Sequence, residues 1–311
     1  MPSSARLTGA VAALAVVFVL RHITNAQRHR SARVQPTEER VLILGASSGL
    51  GRTLVKQYAA RGAKVCAVAR RSEPLVELAK ECGDRCLPFV ADFTDAGDME
   101  KLRGQLLRQW DGLDTLHICA GVSAVQPVMA LAGVKSSDED PDVAGVRHAA
   151  EIANRATQGN FFGPLITAVT FIPMLKRTSA SPAILLVSSV AAVIPAPTRA
   201  LYAATKAASL LLFQSLAIEH PEIAFTCVLP ATIEGNFRSS AVDADPSQEI
   251  DETKKGLKLV YVASRCTEAV DRRLRGNVVI PWIPYAIAHH LYYIWPSFIE
   301  RQARKKYNVT A

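Results

Sequence analysis

Tyr202 and Lys206 stand four residues apart in a run whose apolar pattern predicts a helix over Arg199–Glu219, so the two side chains share a face. A free tyrosine has a pKa of about 10, too high to trade protons readily at neutral pH. A neighbouring ammonium and an oxidised nicotinamide would favour the phenolate and lower that value. A YxxxK spacing alone recurs by chance. What sharpens it is Ser189, thirteen residues upstream, at the end of an apolar strand-like run. Ser189 does not read as a hydrolase nucleophile, because no GxSxG elbow surrounds it.

A second set of residues suits phosphate. The run Val41–Leu44 leads into Gly45-Ala46-Ser47-Ser48-Gly49-Leu50-Gly51 and then into a helical pattern. Glycines permit positive φ and let a pyrophosphate approach the backbone, where helix N-terminal amides bind it. The spacing is GxxxGxG rather than the standard GxGxxG. Arg70 and Arg71 follow the second strand-like run. An acid there would bind free ribose hydroxyls, whereas arginine pairs with a 2′-phosphate, which points to NADP(H). The plainer reading of the pair is two solvated surface arginines.

These residues must be positioned by the elements around them. Strand-like runs are Val41–Leu44, Lys64–Ala69, Cys86–Val90, Thr115–Cys119, Ile184–Val187, Ala224–Leu229 and Asn277–Pro281. Helical patterns lie between them at Leu50–Arg61, Glu73–Glu81, Met99–Gln109, Val143–Lys176, Arg199–Glu219 and Ser264–Leu274. Continuous apolar strands alternating with helices predict an α/β fold, a doubly wound parallel sheet of Rossmann type in a single domain. Its ligands should bind at the carboxyl ends of the strands.

The motifs, in their order, resemble the short-chain dehydrogenase/reductase family over roughly residues 40 to 281, near its membrane-anchored hydroxysteroid dehydrogenase-like branch. Leu44 stands where the family's TGxxxGxG usually has Thr. Ile118-Cys119-Ala120-Gly121 takes the place of NNAG, and Pro230-Ala231-Thr232-Ile233 resembles PGxV, with Gly235 where a Thr is common. The resemblance implies that Tyr202 is the general acid/base and that Lys206 tunes it and holds the nicotinamide ribose. It implies further that Ser189 orients the substrate carbonyl and that Asn160 supports a water-linked proton relay. Gly45, Ser47, Ser48, Gly49, Leu50, Gly51, Arg70, Arg71, Ala120, Gly121, Ile233, Tyr202 and Lys206 are then expected around the cofactor, with Asp92 binding the adenine amino group. The expected reaction is hydride transfer between NADP(H) and a lipophilic carbonyl or alcohol, such as a steroid, a retinoid or a long-chain ketone. A catalytically silent NADP(H)-binding sensor or scaffold is the alternative, and the loss of both asparagines at 118 and 119 keeps it open.

Composition narrows the partners. Of the net charge of +8, five arginines before Glu38 supply +5, and no basic, aromatic-interleaved stripe follows, so nucleic acid is disfavoured. The six cysteines form no CxxC pair, and Cys66, Cys119 and Cys227 lie in apolar runs, which predicts free thiols and no metal site. Leu7–Leu20 is uncharged and apolar with arginines after it, which reads as an N-terminal anchor whose downstream domain faces the cytosol, as in an endoplasmic reticulum membrane. The Asn308-Val309-Thr310 sequon should therefore carry no glycan. The expected organisation is an anchor and basic linker over 1–37, a catalytic domain over 38–281 and an aromatic, basic tail over 282–311. The tail suits a membrane surface, a cap on the core or a homodimer face alike. Ser136–Asp142 reads as a surface insertion or a lid, and Asn236–Lys258 as the segment covering the substrate.

Overall fold

A computed structural model describes residues 30–136, 138–239, 241–244 and 256–307. The apolar stretch Leu7–Leu20, the sequon and most of the segment after residue 244 lie outside the described residues.

Seven parallel strands form one sheet in the order β3-β2-β1-β4-β5-β6-β7: β1 Arg40–Leu44, β2 Lys64–Ala69, β3 Cys86–Val90, β4 Thr115–Ile118, β5 Ala183–Val187, β6 Ala224–Pro230 and β7 Gly276–Ile280. Side chains alternate across β1. Leu42 and Leu44 pack with Met99, Leu102, Phe171 and Phe213 on one side. Val41 and Ile43 pack with Leu54, Tyr58, Leu75 and Val262 on the other. Both faces are therefore covered, which is why these strands read as unbroken apolar runs. β4 pairs with β1 from Val41 beside Thr115 to Leu44 beside Ile118, so the loss of the family's asparagines leaves this strand in register. The order reverses between β1 and β4, and a crevice opens at their carboxyl ends, as expected of a doubly wound sheet.

Helices α1 Gly49–Ala60, α2 Ser72–Cys82 and α3 Ala96–Trp110 follow the first three strands. The single helical pattern from Val143 is α4 Val143–Thr157, one widened π turn Gln158–Phe162, and α5 Gly163–Thr178. Such π turns are often found at functional positions, and this one carries Asn160. α6 Ala200–Glu219 carries Tyr202 and Lys206. It is also the one described helix long and apolar enough to cross a membrane, yet Leu210 and Phe213 lie in the core between it and the sheet. α7 Leu259–Asp271 packs beside α1. The tail folds as two helices, α8 Trp282–Ile294 and α9 Pro296–Tyr307.

The amino ends of the strands are closed by a buried polar network. Arg30, 2% exposed, ion-pairs with Glu39 and donates to the carbonyls of Ser181 (2.7 Å) and Asp114 (2.9 Å). Arg61 pairs with Glu39 and, at 2.9 Å, with Asp271. The packed body therefore reaches back to Arg30, whereas the sequence pattern begins it at residue 38. Nearby, His117 Nε2 lies 2.9 Å from the Tyr58 hydroxyl, and burial holds the imidazole down at about 3. None of the described residues of the acidic 136–142 piece lines the crevice. Its Asp142 caps α4 by accepting from Gly145 N at 2.7 Å.

Candidate active site

The crevice is a cavity of about 1240 Å³ running from the turn after β1 to the tail helices. At its floor, Gly45 takes φ +86°, and a β-carbon there would lie 2.6 Å from Ala120 N. A β-carbon on Gly51 would sit 2.2 Å from Gly45 O, so the start of α1 can press against the turn only as glycine. Above Gly49 there is open space within 4 Å of where a β-carbon would be. Ser47, Ser48 and Leu50 complete this wall of the cavity. The result is a concave backbone surface with helix N-terminal amides and room for a pyrophosphate. These residues fit a dinucleotide.

Further along, Arg71 Nη2 donates to Ser47 Oγ at 3.0 Å, which ties the end of β2 to the glycine turn. Arg70 is largely exposed and reaches Asp92 at 3.8 Å. Asp92 Oδ1 accepts from Thr94 N (3.0 Å) and Thr94 Oγ1 (2.8 Å), which fixes the carboxylate at the cavity wall. Ala120, Gly121 and Ile233 also line the cavity.

Tyr202, Ser189 and Lys206 meet at the centre. Ser189 lies two residues past β5; its Oγ accepts from Ala191 N at 3.1 Å, and its hydroxyl favours the Tyr202 phenolate. Lys206 Nζ donates to Val187 O at 3.1 Å. A β-carbon on Gly121 would lie 2.9 Å from Asn160 Oδ1 and 3.0 Å from Lys206 Nζ, so both side chains close tightly on this stretch of backbone. Asn160 does not line the cavity. Its Oδ1 accepts from Val122 N (2.9 Å), and its Nδ2 donates to Val122 O and Thr205 Oγ1 (both 3.0 Å). The side chain thus holds the loop after β4 against α6.

In the chain without a cofactor, burial pushes the Tyr202 phenol above its ordinary value. The opposing charge is chiefly Arg199, whose guanidinium carbon lies 4.3 Å from the centre of the Tyr202 ring. The Lys206 ammonium is itself brought down to about 8 by burial. Cys119, in place of an asparagine, is half-buried, and desolvation pushes its thiol up to about 12. Arg199 was missed by motif reading, although its place three residues before Tyr202 on the same helical face was a usable signal.

A family model for short chain dehydrogenases matches residues 39–246. The chain belongs to the short-chain dehydrogenase family. It is an oxidoreductase of that family, which implies a nicotinamide dinucleotide as cofactor. Among its relatives in the family, an 11-beta-hydroxysteroid dehydrogenase A from Sesamum indicum is 29% identical over 247 residues, covering 76% of this chain. The match spans 66% of the sesame protein's length. A dehydrogenase/reductase SDR family member 7B from Bos taurus is 28% identical over 285 residues, 86% of this chain and 82% of that one. Among solved structures, a 3-ketoacyl-ACP reductase from Sinorhizobium meliloti superposes with a TM-score of 0.61 at 25% identity, over 77% of this chain and 96% of its own. An archaeal alcohol dehydrogenase from Thermococcus sibiricus, complexed with 5-hydroxy-NADP, shares the fold with a TM-score of 0.62 at 21% identity, over 78% and 95% of the two chains.

Proposed function

We propose that this short-chain dehydrogenase is a membrane-anchored, NADP(H)-dependent enzyme that interconverts a lipophilic carbonyl and its alcohol, with Tyr202 as general acid/base. The observation that carries the reading is that Tyr202, Ser189 and Lys206 line one cavity whose other end is a phosphate cradle. A bound dinucleotide would supply or accept the hydride. Tyr202 gives its proton to the carbonyl oxygen, and a phenol held above its usual pKa stays protonated and ready to donate. Ser189 orients that oxygen. Lys206 provides positive charge beside the tyrosine and is placed to hold the nicotinamide ribose, while Asn160 fixes the Gly121–Val122 backbone.

Support for NADP(H) is the pair Arg70 and Arg71 at the end of β2, one bonded to the glycine turn. Support for a lipophilic substrate is the apolar mouth, where Ile194, Phe237, Ile287, Leu291 and Phe298 line the cavity. The names of the sesame and Sinorhizobium relatives point the same way, to a steroid and a 3-ketoacyl chain. An endoplasmic reticulum anchor with a cytosolic domain rests on the apolar stretch at Leu7–Leu20 and the arginines behind it. The six free cysteines accord with a reducing compartment. A homodimer would suit the exposed Val169, Leu211 and Ile218 on α5 and α6.

The test is cofactor-resolved turnover of the full chain with steroid, retinoid and long-chain ketones. NADPH should support reduction of at least one and should bind about tenfold or more tightly than NADH, the worth of one or two charge-assisted bonds. Neutralising Arg70 and Arg71 together should abolish that preference while leaving NADH affinity within about twofold. Equal affinity of the unmodified protein for both cofactors would sink the NADP(H) assignment.

A further inference from the structure

Arg199 is buried to 8% exposure at the start of α6, yet no carboxylate lies within 4 Å of it among the described residues. A guanidinium offers five N–H donors in a planar fork. One bond, from Nη1 to Ser123 Oγ at 3.0 Å, is accounted for. Nε and Nη2 make no hydrogen bond among the described residues, are not sealed from solvent, and belong to a side chain that lines the cavity. Burying such a charge without a counter-ion is costly, so a side chain held in this state is poised for an anion that the described residues do not supply.

The surroundings share the imbalance. Arg238 and Lys306 line the same end of the cavity, and neither has an ion-pair partner among the described residues. Lys306 rests 5.3 Å from the Tyr285 ring instead. Of the acids nearby, Glu234 is held by Lys258 (2.8 Å) and by Leu259 N. Asp243 is in electrostatic reach of Arg199 but accepts from Val125 N and Gln126 N at 2.8–2.9 Å. The cofactor's own phosphates belong at the opposite end, with the glycine turn and Arg71.

We propose that Arg199 and Arg238 form an anion-recognition site in the substrate half of the cavity, so that the physiological substrate is an apolar carbonyl compound carrying a carboxylate or phosphate within a few bonds of the reacting carbon. The proximity follows from the guanidinium lying over the Tyr202 ring. This deepens the reductase reading and rests on it for the word substrate; the anion site itself does not.

The experiment separates the two. With the full chain saturated in NADP+, affinities are measured by calorimetry for decanoate, monodecyl phosphate and decanol. At least one anion should bind about tenfold or more tightly than decanol, and which one does so distinguishes carboxylate from phosphate. Arg199→Gln and Arg238→Gln should each remove most of that preference and leave decanol within about twofold, whereas Arg199→Lys should keep part of it. Equal binding of all three probes by the unmodified protein would overturn the proposal, as would Arg199→Gln weakening all three alike. A parallel assay compares NADPH-linked reduction of 3-oxodecanoate and its methyl ester. Anion preference in binding with no turnover of any carbonyl would refute the reductase reading alone. Turnover of neutral ketones without anion preference would refute the anion site alone.

Discussion

Burial acts in opposite senses on the two titrating groups of α6. It keeps the Tyr202 phenol protonated and makes the Lys206 ammonium easier to lose, because in both cases the charged form is penalised. Lys206 is charged below about 8 and neutral above it in the free protein. If its positive charge serves cofactor and tyrosine, kcat/KM for NADPH should hold at neutral pH and fall along an alkaline limb centred near that value, since this parameter reports the free enzyme. Lys206→Arg, which stays charged throughout, should turn over more slowly but lose the limb. A limb unchanged in Lys206→Arg would mean that another group titrates there. At this scale the motif spacing made it legible that Tyr202, Lys206, Ser189 and the glycine turn share one cavity, because each sits at a short interval along one element. The place of Arg199 against the Tyr202 ring was not read, since it depends on how the start of α6 packs.

At the scale of elements, apolar runs located all seven strands to within a residue at either end, because strands buried on both faces admit few polar side chains. The tail was harder to read. Trp282, Tyr293 and Trp295 remain 56–76% exposed while Leu291 and Phe298 turn to the cavity, so apolar character alone could not say which face packs. The network at the strands' amino ends was invisible, since Arg30, Glu39, Arg61, Asp114 and Asp271 meet only through the fold. It makes a specific claim about stability. Removing one partner from a buried pair typically costs about 3–5 kcal/mol, and Arg61 remains beside Glu39 to soften the loss. Arg30→Met should therefore destabilise the fold by about 2–3 kcal/mol in denaturant unfolding. A change below about 0.5 kcal/mol, the level of an ordinary surface substitution, would show that Arg30 does not close the base.

Across the whole molecule, the two ends of the described chain serve opposite edges of the sheet. Arg30 locks the amino ends of the strands, and α8 and α9 form the mouth of the cavity at the carboxyl ends. The sheet between them joins a phosphate cradle to a tyrosine, and the proposed activity requires both at once. Tyr202→Phe separates them, because it deletes one hydroxyl and leaves the cradle untouched. The decisive measurement is the NADPH dissociation constant and the carbonyl-reduction rate of this variant, each against the unmodified chain. The account predicts an NADPH affinity within about twofold and a rate lower by about a hundredfold or more, the usual worth of a positioned general acid. An unchanged rate on a confirmed substrate would contradict it.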